Sequence, residues 1–187
     1  MADSGASQDG RFREAEMADS GETGLTAPEA SDPGLRKSVT VPARLDEAFQ
    51  IFTERPIDWL PPAHTFLANP SSIAMEPRVG GRFFERGTDG EEISRGTILE
   101  WAPPDRLVVT WRVGPGWRPL QDDEKASRIE VDFTAVTPDV SEVVLTYTQL
   151  WRCGAMAGLI RSALSAPGPG ESLSRYAEAV ARHRRAR

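Results

Sequence analysis

The residues able to do chemistry in this chain are few and scattered. It carries two histidines, His64 and His183, and one cysteine, Cys153. A single cysteine excludes an internal disulfide and a thiolate metal cluster, and the two histidines lie too far apart for a metal-ligand spacing. His64 could act as a general base if a partner or substrate proton lay within hydrogen-bond reach. Asp58 is the nearest acid in the chain, and the competing role for His64 is to anchor its loop. Cys153 precedes Gly154 with no histidine beside it, which favours a structural thiol over a nucleophile. The Gly80-Gly81 and Asp89-Gly90 pairs read as turns, because no helix N-terminus follows them as a phosphate cradle requires. Neither a cofactor nor a metal is expected.

Aromatic residues are the stronger signal. Trp59, Phe66, Trp111, Trp117, Tyr147 and Trp151 are many large rings for a short chain, and such rings either fill a thin core or wall a ligand pocket. Trp111 shares strand parity with Leu107 and Val109, which places it on the inner face of its strand. The candidate ligand-contacting set is therefore Trp59, His64, Phe66, Val109, Trp111, Tyr147 and Trp151. Two arginines, Arg95 and Arg112, fall within strands. Turned inward, either would be a buried cation in need of a carboxylate or an anionic ligand. Arg112 has the opposite parity to Trp111 and is expected in solvent. Arg95 shares parity with Ile93, Thr97, Leu99 and Trp101, against Ser94, Gly96 and Ile98. The two faces are hard to tell apart there, and a solvated position is preferred.

The elements that must position these residues follow from periodicity. Leu35–Val41 reads as a strand closed by Pro42. Leu45, Ala48, Phe49 and Phe52 make one face of a short helix, which Pro56 ends, and residues 57–60 suggest a second helical turn. Strands are expected over 72–76, 82–86, 92–101 and 106–113, with a hairpin turn at Thr88-Asp89-Gly90. Ile129, Val131 and Phe133 alternate with charged residues, and Val143, Leu145 and Tyr147 read as a second alternating set, marking two half-buried strands. Leu173, Tyr176, Ala177, Val180 and Ala181 share one face of a C-terminal helix, with Ser172 as its N-cap. Short turns between successive strands favour antiparallel pairing. The expected class is α+β: a curved antiparallel sheet of six or seven strands wrapped around a long C-terminal helix, with two short helices after the first strand.

Charge divides the chain of 187 residues, whose 28 acids and 22 bases give a net −6. Residues 1–34 hold eight of the acids and two of the bases, so the remaining 20 acids and 20 bases of 35–187 balance. The first segment has one aromatic residue, Phe12, and cannot bury enough apolar surface to order itself. It is read as a disordered acidic tail, followed by one domain over 35–187. The tail repeats Met-Ala-Asp-Ser-Gly at Met1 and Met17. Low complexity explains the echo, and a natural start at Met17 is the competing account. A neutral body argues against nucleic-acid binding. No apolar run approaches the ~20 residues of a membrane span, and the opening residues lack the apolar core of a secretory signal. A cytoplasmic protein with a reduced cysteine is expected.

Several motifs together resemble a known family. Residues 36–42 (RKSVTVP), Glu76-Pro-Arg-Val-Gly-Gly-Arg82 with Asp89-Gly90-Glu91, Pro103-Pro104-Asp105-Arg106-Leu107 and Thr110-Trp111 are similar to the SRPBCC superfamily. Within it they resemble the bacterial branch named after the activator of the heat-shock-protein ATPase, over about residues 35–185. The resemblance implies the birch-pollen-allergen-like helix-grip fold with an internal cavity, and a small hydrophobic or amphipathic molecule as partner. It implies no reaction of its own. A polyketide cyclase or aromatase, with His64, Tyr147 and Asp58 as the group to test, is one alternative; a co-chaperone-like interaction module is another. The protein would be a monomer or a homodimer. Two departures bear on the ligand: Tyr147 stands where the branch usually has a histidine, and 166–171 lacks the Gly-Trp common before the final helix.

Overall fold

The structure is a computed structural model that describes residues 34–165 and 172–186. The segment read as an acidic tail, Gly34 apart, and the stretch 166–171 lie outside the described residues.

Seven strands form one antiparallel sheet: β1 (Leu35–Val41), β2 (Pro70–Met75), β3 (Arg82–Gly87), β4 (Glu92–Ala102), β5 (Arg106–Trp111), β6 (Ser127–Thr137) and β7 (Val140–Thr148). Their spatial order is β1-β7-β6-β5-β4-β3-β2. Only β1 is out of sequence, pairing with β7 so that Leu35 faces Tyr147 and Val41 faces Ser141. The chain leaves β1 through α1 (Leu45–Glu54) and α2 (Pro56–Trp59), and ends in α3 (Ala157–Ser165) and α4 (Ser172–Arg185).

Each helix has a local cause. In α1, Asp46 and Glu47 occupy the first turn, where the helix dipole favours negative charge, and Ala48, Phe49 and Phe52 are buried. Pro56 disfavours helical geometry at Arg55 and opens α2 at its own first position, where a missing N–H costs nothing. Trp59 then closes back on α1: its indole N–H donates to the Phe52 carbonyl at 3.1 Å, and its ring stacks on Phe52 at 4.4 Å. Phe49 and Phe52 each meet Phe133 of β6 edge-on. Helix α4 plugs the same core through Tyr176, fully buried, whose hydroxyl donates to the Ala48 carbonyl at 2.7 Å.

Strand β4 departs from simple alternation. Phe83 and Phe84 of β3 pair with Gly96 and Ser94, so Arg95 is an extra residue; Val109 and Val108 of β5 pair with Ile98 and Glu100, so Leu99 is another. Each bulge shifts the parity by one. Arg95 and Ile98 therefore both turn inward and are buried, while Leu99 is exposed. The expected solvated Arg95 is corrected by this pair of bulges. Arg112 is also less wet than expected: it is largely covered and pairs with Asp123 at 2.6 Å.

Candidate functional site

The inner face of the sheet and the helices leave a cavity between them. Its walls are mostly apolar. Strand alternation aims Leu107, Val109 and Trp111 of β5, Ile129 and Val131 of β6, and Leu145 and Tyr147 of β7 at it. Trp59 of α2 and Leu164 of α3 face them from the helical side. The segment between α2 and β2 adds His64, Thr65 and Phe66. Of the seven expected contact residues, Trp59, His64, Phe66, Val109, Trp111 and Tyr147 line this one space.

Trp151 is not among its walls. Gln149 takes a left-handed conformation, φ 57°, directly after β7 and starts a 3₁₀ segment over Leu150–Met156. That turn breaks the strand alternation that carries Tyr147 inward, and Trp151 packs against the guanidinium of Arg152 instead, at 5.2 Å.

One charged pair interrupts the apolar wall. Arg95 lines the cavity with its side chain 7% exposed, and it pairs with the fully buried Glu85 of β3. The Glu85 carboxylate also accepts the backbone N–H groups of Phe66, at 2.9 and 3.0 Å, and Leu67, at 2.8 Å. Nη1 of Arg95 donates to Glu85 and, at 3.0 Å, to the His64 carbonyl. The pair thus fixes the 64–67 segment that carries His64 and Phe66. Burial lowers the Arg95 pKa and the Glu85 charge opposes this; a guanidinium starts so high that it stays charged. The rings of Phe66 and Phe83 pack against it at 5.1 and 5.3 Å.

Tyr147 is the other polar group deep in the wall. Burial pushes its phenol up to about 12, with the Arg95 charge pulling the other way, so it is neutral at ordinary pH and can both donate and accept. Its ring meets Trp111 edge-on at 5.2 Å, and Trp111 in turn meets Trp117 at 6.3 Å. Trp117 is 44% exposed with φ 59° and borders the cavity. Its loop is fastened at the far end by Asp123, which accepts from Thr97 and Thr110, both at 2.7 Å, and from Arg112.

The expected trio of His64, Tyr147 and Asp58 is not assembled. Asp58 pairs with Arg55 at 3.3 Å and lies 3.8 Å from His183, bordering a separate surface groove. Cys153 is buried, and burial raises its thiol pKa, which suits an inert thiol. Among the described residues no cluster of His, Cys, Asp and Glu could hold a metal, and no helix is long and apolar enough to cross a membrane. Sequence reasoning missed the Arg95–Glu85 pair and the contribution of α3. The signal for α3 was available in Ile160 and Leu164, four residues apart and both buried.

A curled antiparallel sheet closed by helices over an apolar cavity defines a helix-grip protein of the SRPBCC superfamily. The model of the family described as "Activator of Hsp90 ATPase homolog 1-like protein" matches residues 42–162, and the chain belongs to that family. Among solved structures it is similar to Txn09, an anthrahydroquino-γ-pyrone synthase complexed with SUM. That match has 45% identity, 79% of this chain and 97% of that one covered, and a TM-score of 0.57. CalC from Micromonospora echinospora, a self-sacrificing resistance protein, matches at 26% identity, with 81% and 96% covered and a TM-score of 0.57. Protein NE0264 from Nitrosomonas europaea shares the fold, at 14% identity, with 80% and 95% covered and a TM-score of 0.54. Comparison with curated proteins gives no match.

Proposed function

We propose that this protein binds a small, largely apolar, ring-bearing molecule in the cavity. The observation that carries the proposal is the wall itself: Trp59, Phe66, Trp111 and Tyr147 face one interior space, and aromatic-lined, mostly apolar concavities with few polar groups are what small-molecule sites look like. In this reading Trp59, His64, Phe66, Val109, Trp111 and Tyr147 contact the ligand. Nucleic acid is not a partner, because residues 35–187 carry as many acids as bases. The protein works in the cytoplasm as a monomer or homodimer, and its one cysteine, buried and unpaired, fits a reducing compartment.

Native mass spectrometry of protein purified gently from its own host tests this. An adduct lost on denaturation is expected. A clean apo mass, together with tryptophan fluorescence that does not respond to added two- and three-ring aromatics, would overturn it.

A second reading is favoured by the 45% identity, over 97% of that chain, to Txn09, an anthrahydroquino-γ-pyrone synthase. In it the bound molecule is a substrate for ring closure, and His64 and Tyr147, which border the cavity, move its protons. Unchanged turnover of a polyketide-type aromatic precursor in both His64→Ala and Tyr147→Phe would dismiss those roles.

A further inference from the structure

Arg95 has hydrogen-bonding capacity that the protein does not use. A guanidinium presents five N–H bonds in a fixed planar fork. Nη1 is engaged by Glu85 and by the His64 carbonyl. Nε is buried with no partner, and among the described residues none accepts from Nη2. These two nitrogens form one edge of the fork, the edge that offers two parallel N–H bonds to oxygen acceptors. Glu85 does not supply the missing acceptor, because its two oxygens already receive Arg95 Nη1 and the backbone N–H groups of Phe66 and Leu67. A buried N–H without an acceptor is rare in native proteins and calls for an explanation. Arg95 lines the cavity, and a β-bulge turns it there. Without that bulge the strand's alternation would carry the residue to the opposite face.

We propose that the open edge of Arg95 docks an oxygen acceptor of the bound molecule: a carbonyl, enol or phenol oxygen on an otherwise apolar, conjugated frame. This rests on the cavity being a ligand site and names the ligand's chemical class. Glu85 is then a positioning residue. It holds the guanidinium against the 64–67 segment, so that the edge meets the ligand without reorganising. A site built to donate to an oxygen discriminates strongly against an analogue that lacks it, because the donors are otherwise left unpaired.

The test uses two probes of nearly equal size, 2-acetylnaphthalene and 2-ethylnaphthalene, titrated against the full chain by tryptophan quenching. The ketone can only accept a hydrogen bond, and the ethyl compound can do neither. We expect the ketone to bind about tenfold tighter although it is the less hydrophobic of the two. In the double variant E85Q/R95M, which removes both charges together so that neither is stranded, the ratio falls to about one. Equal binding of the two probes to the wild type would overturn the proposal and leave the cavity reading standing. No binding of either would overturn both. A preference that survives in E85Q/R95M would overturn the proposal by placing the acceptor elsewhere. Should that variant not fold, the carbonyl stretch of bound 2-acetylnaphthalene gives a second readout on the wild type. It shifts to lower frequency than in hydrocarbon and keeps the shift in Tyr147→Phe, whereas an unshifted band, or a shift lost in Tyr147→Phe, would overturn it.

Discussion

Glu85 and Arg95 depend on each other in the interior. The carboxylate is fully buried and satisfies two backbone N–H groups besides the guanidinium. Glu85→Ala strands a buried cation and orphans both N–H groups together, and removing one partner of a buried pair costs about 3–5 kcal/mol. Glu85→Gln keeps an oxygen for the backbone N–H groups and should cost distinctly less. Urea unfolding of the three proteins measures this; a loss under ~1 kcal/mol in Glu85→Ala would mean that the pair is structurally idle. Residues of this kind are where the sequence was least informative. Trp111 and Val109 could be placed on the inner face because β5 alternates regularly opposite β6. Arg95 could not, because parity counts residues and a bulge inserts an uncounted one. Its carboxylate partner sits ten residues earlier on a neighbouring strand, a distance that no local pattern spans.

At the scale of elements, one carboxylate fastens the far end of a loop to the sheet. Asp123 accepts from Thr97, Thr110 and Arg112, and Arg112 above all holds its carboxyl well below the ordinary range. A carboxylate whose folded pKa is depressed contributes stability that is present above its unfolded pKa of about 3.9 and is lost as pH falls through the folded value. Asp123→Asn should therefore lower stability at neutral pH, by about 1 kcal/mol given that the group is a third exposed. The gap to the wild type should close as pH drops below about 4. A gap that is constant from pH 7 to pH 3 would sink this account of the loop. The strand beneath it tolerates no added bulk at Gly96, where a Cβ would collide with the Thr110 carbonyl of β5. Gly96→Ala forces β4 and β5 apart beside the Arg95 bulge and should cost about 2 kcal/mol. Thermal unfolding followed by tryptophan emission checks it, and a wild-type melting temperature would show that the strands had room to spare. Element existence was legible where a period was clean, as in α1, β6 and β7. Helix α3 was not read, because residues 153–160 hold two glycines and the chain reaches the helix through a left-handed turn and a 3₁₀ segment rather than a capped start.

For the whole molecule, the sheet order and the covering helices follow from short turns and from one apolar face that needs a lid. The cavity is the part of the interior that those rules leave unfilled. A ligand that enters it binds the folded chain and has no site on the unfolded one, so its affinity must appear as stability. At a free concentration of 100 times the dissociation constant the gain is about 2.7 kcal/mol. For a chain of this size each kcal/mol raises the melting temperature by about 2–4 °C, giving a shift of roughly 5–11 °C. Val109 is buried in the cavity wall, and Val109→Phe replaces empty space by protein. That change should abolish the ligand-induced shift, while the apo protein loses no more than the ~1–3 kcal/mol of an overpacked site. A filled variant that still gains several degrees from the same ligand would show that the molecule binds outside the helix grip. Nearby surface grooves, such as that bordered by Asp58 and His183, would then be the place to look, because a site on the surface keeps its thermal signature when the interior is closed.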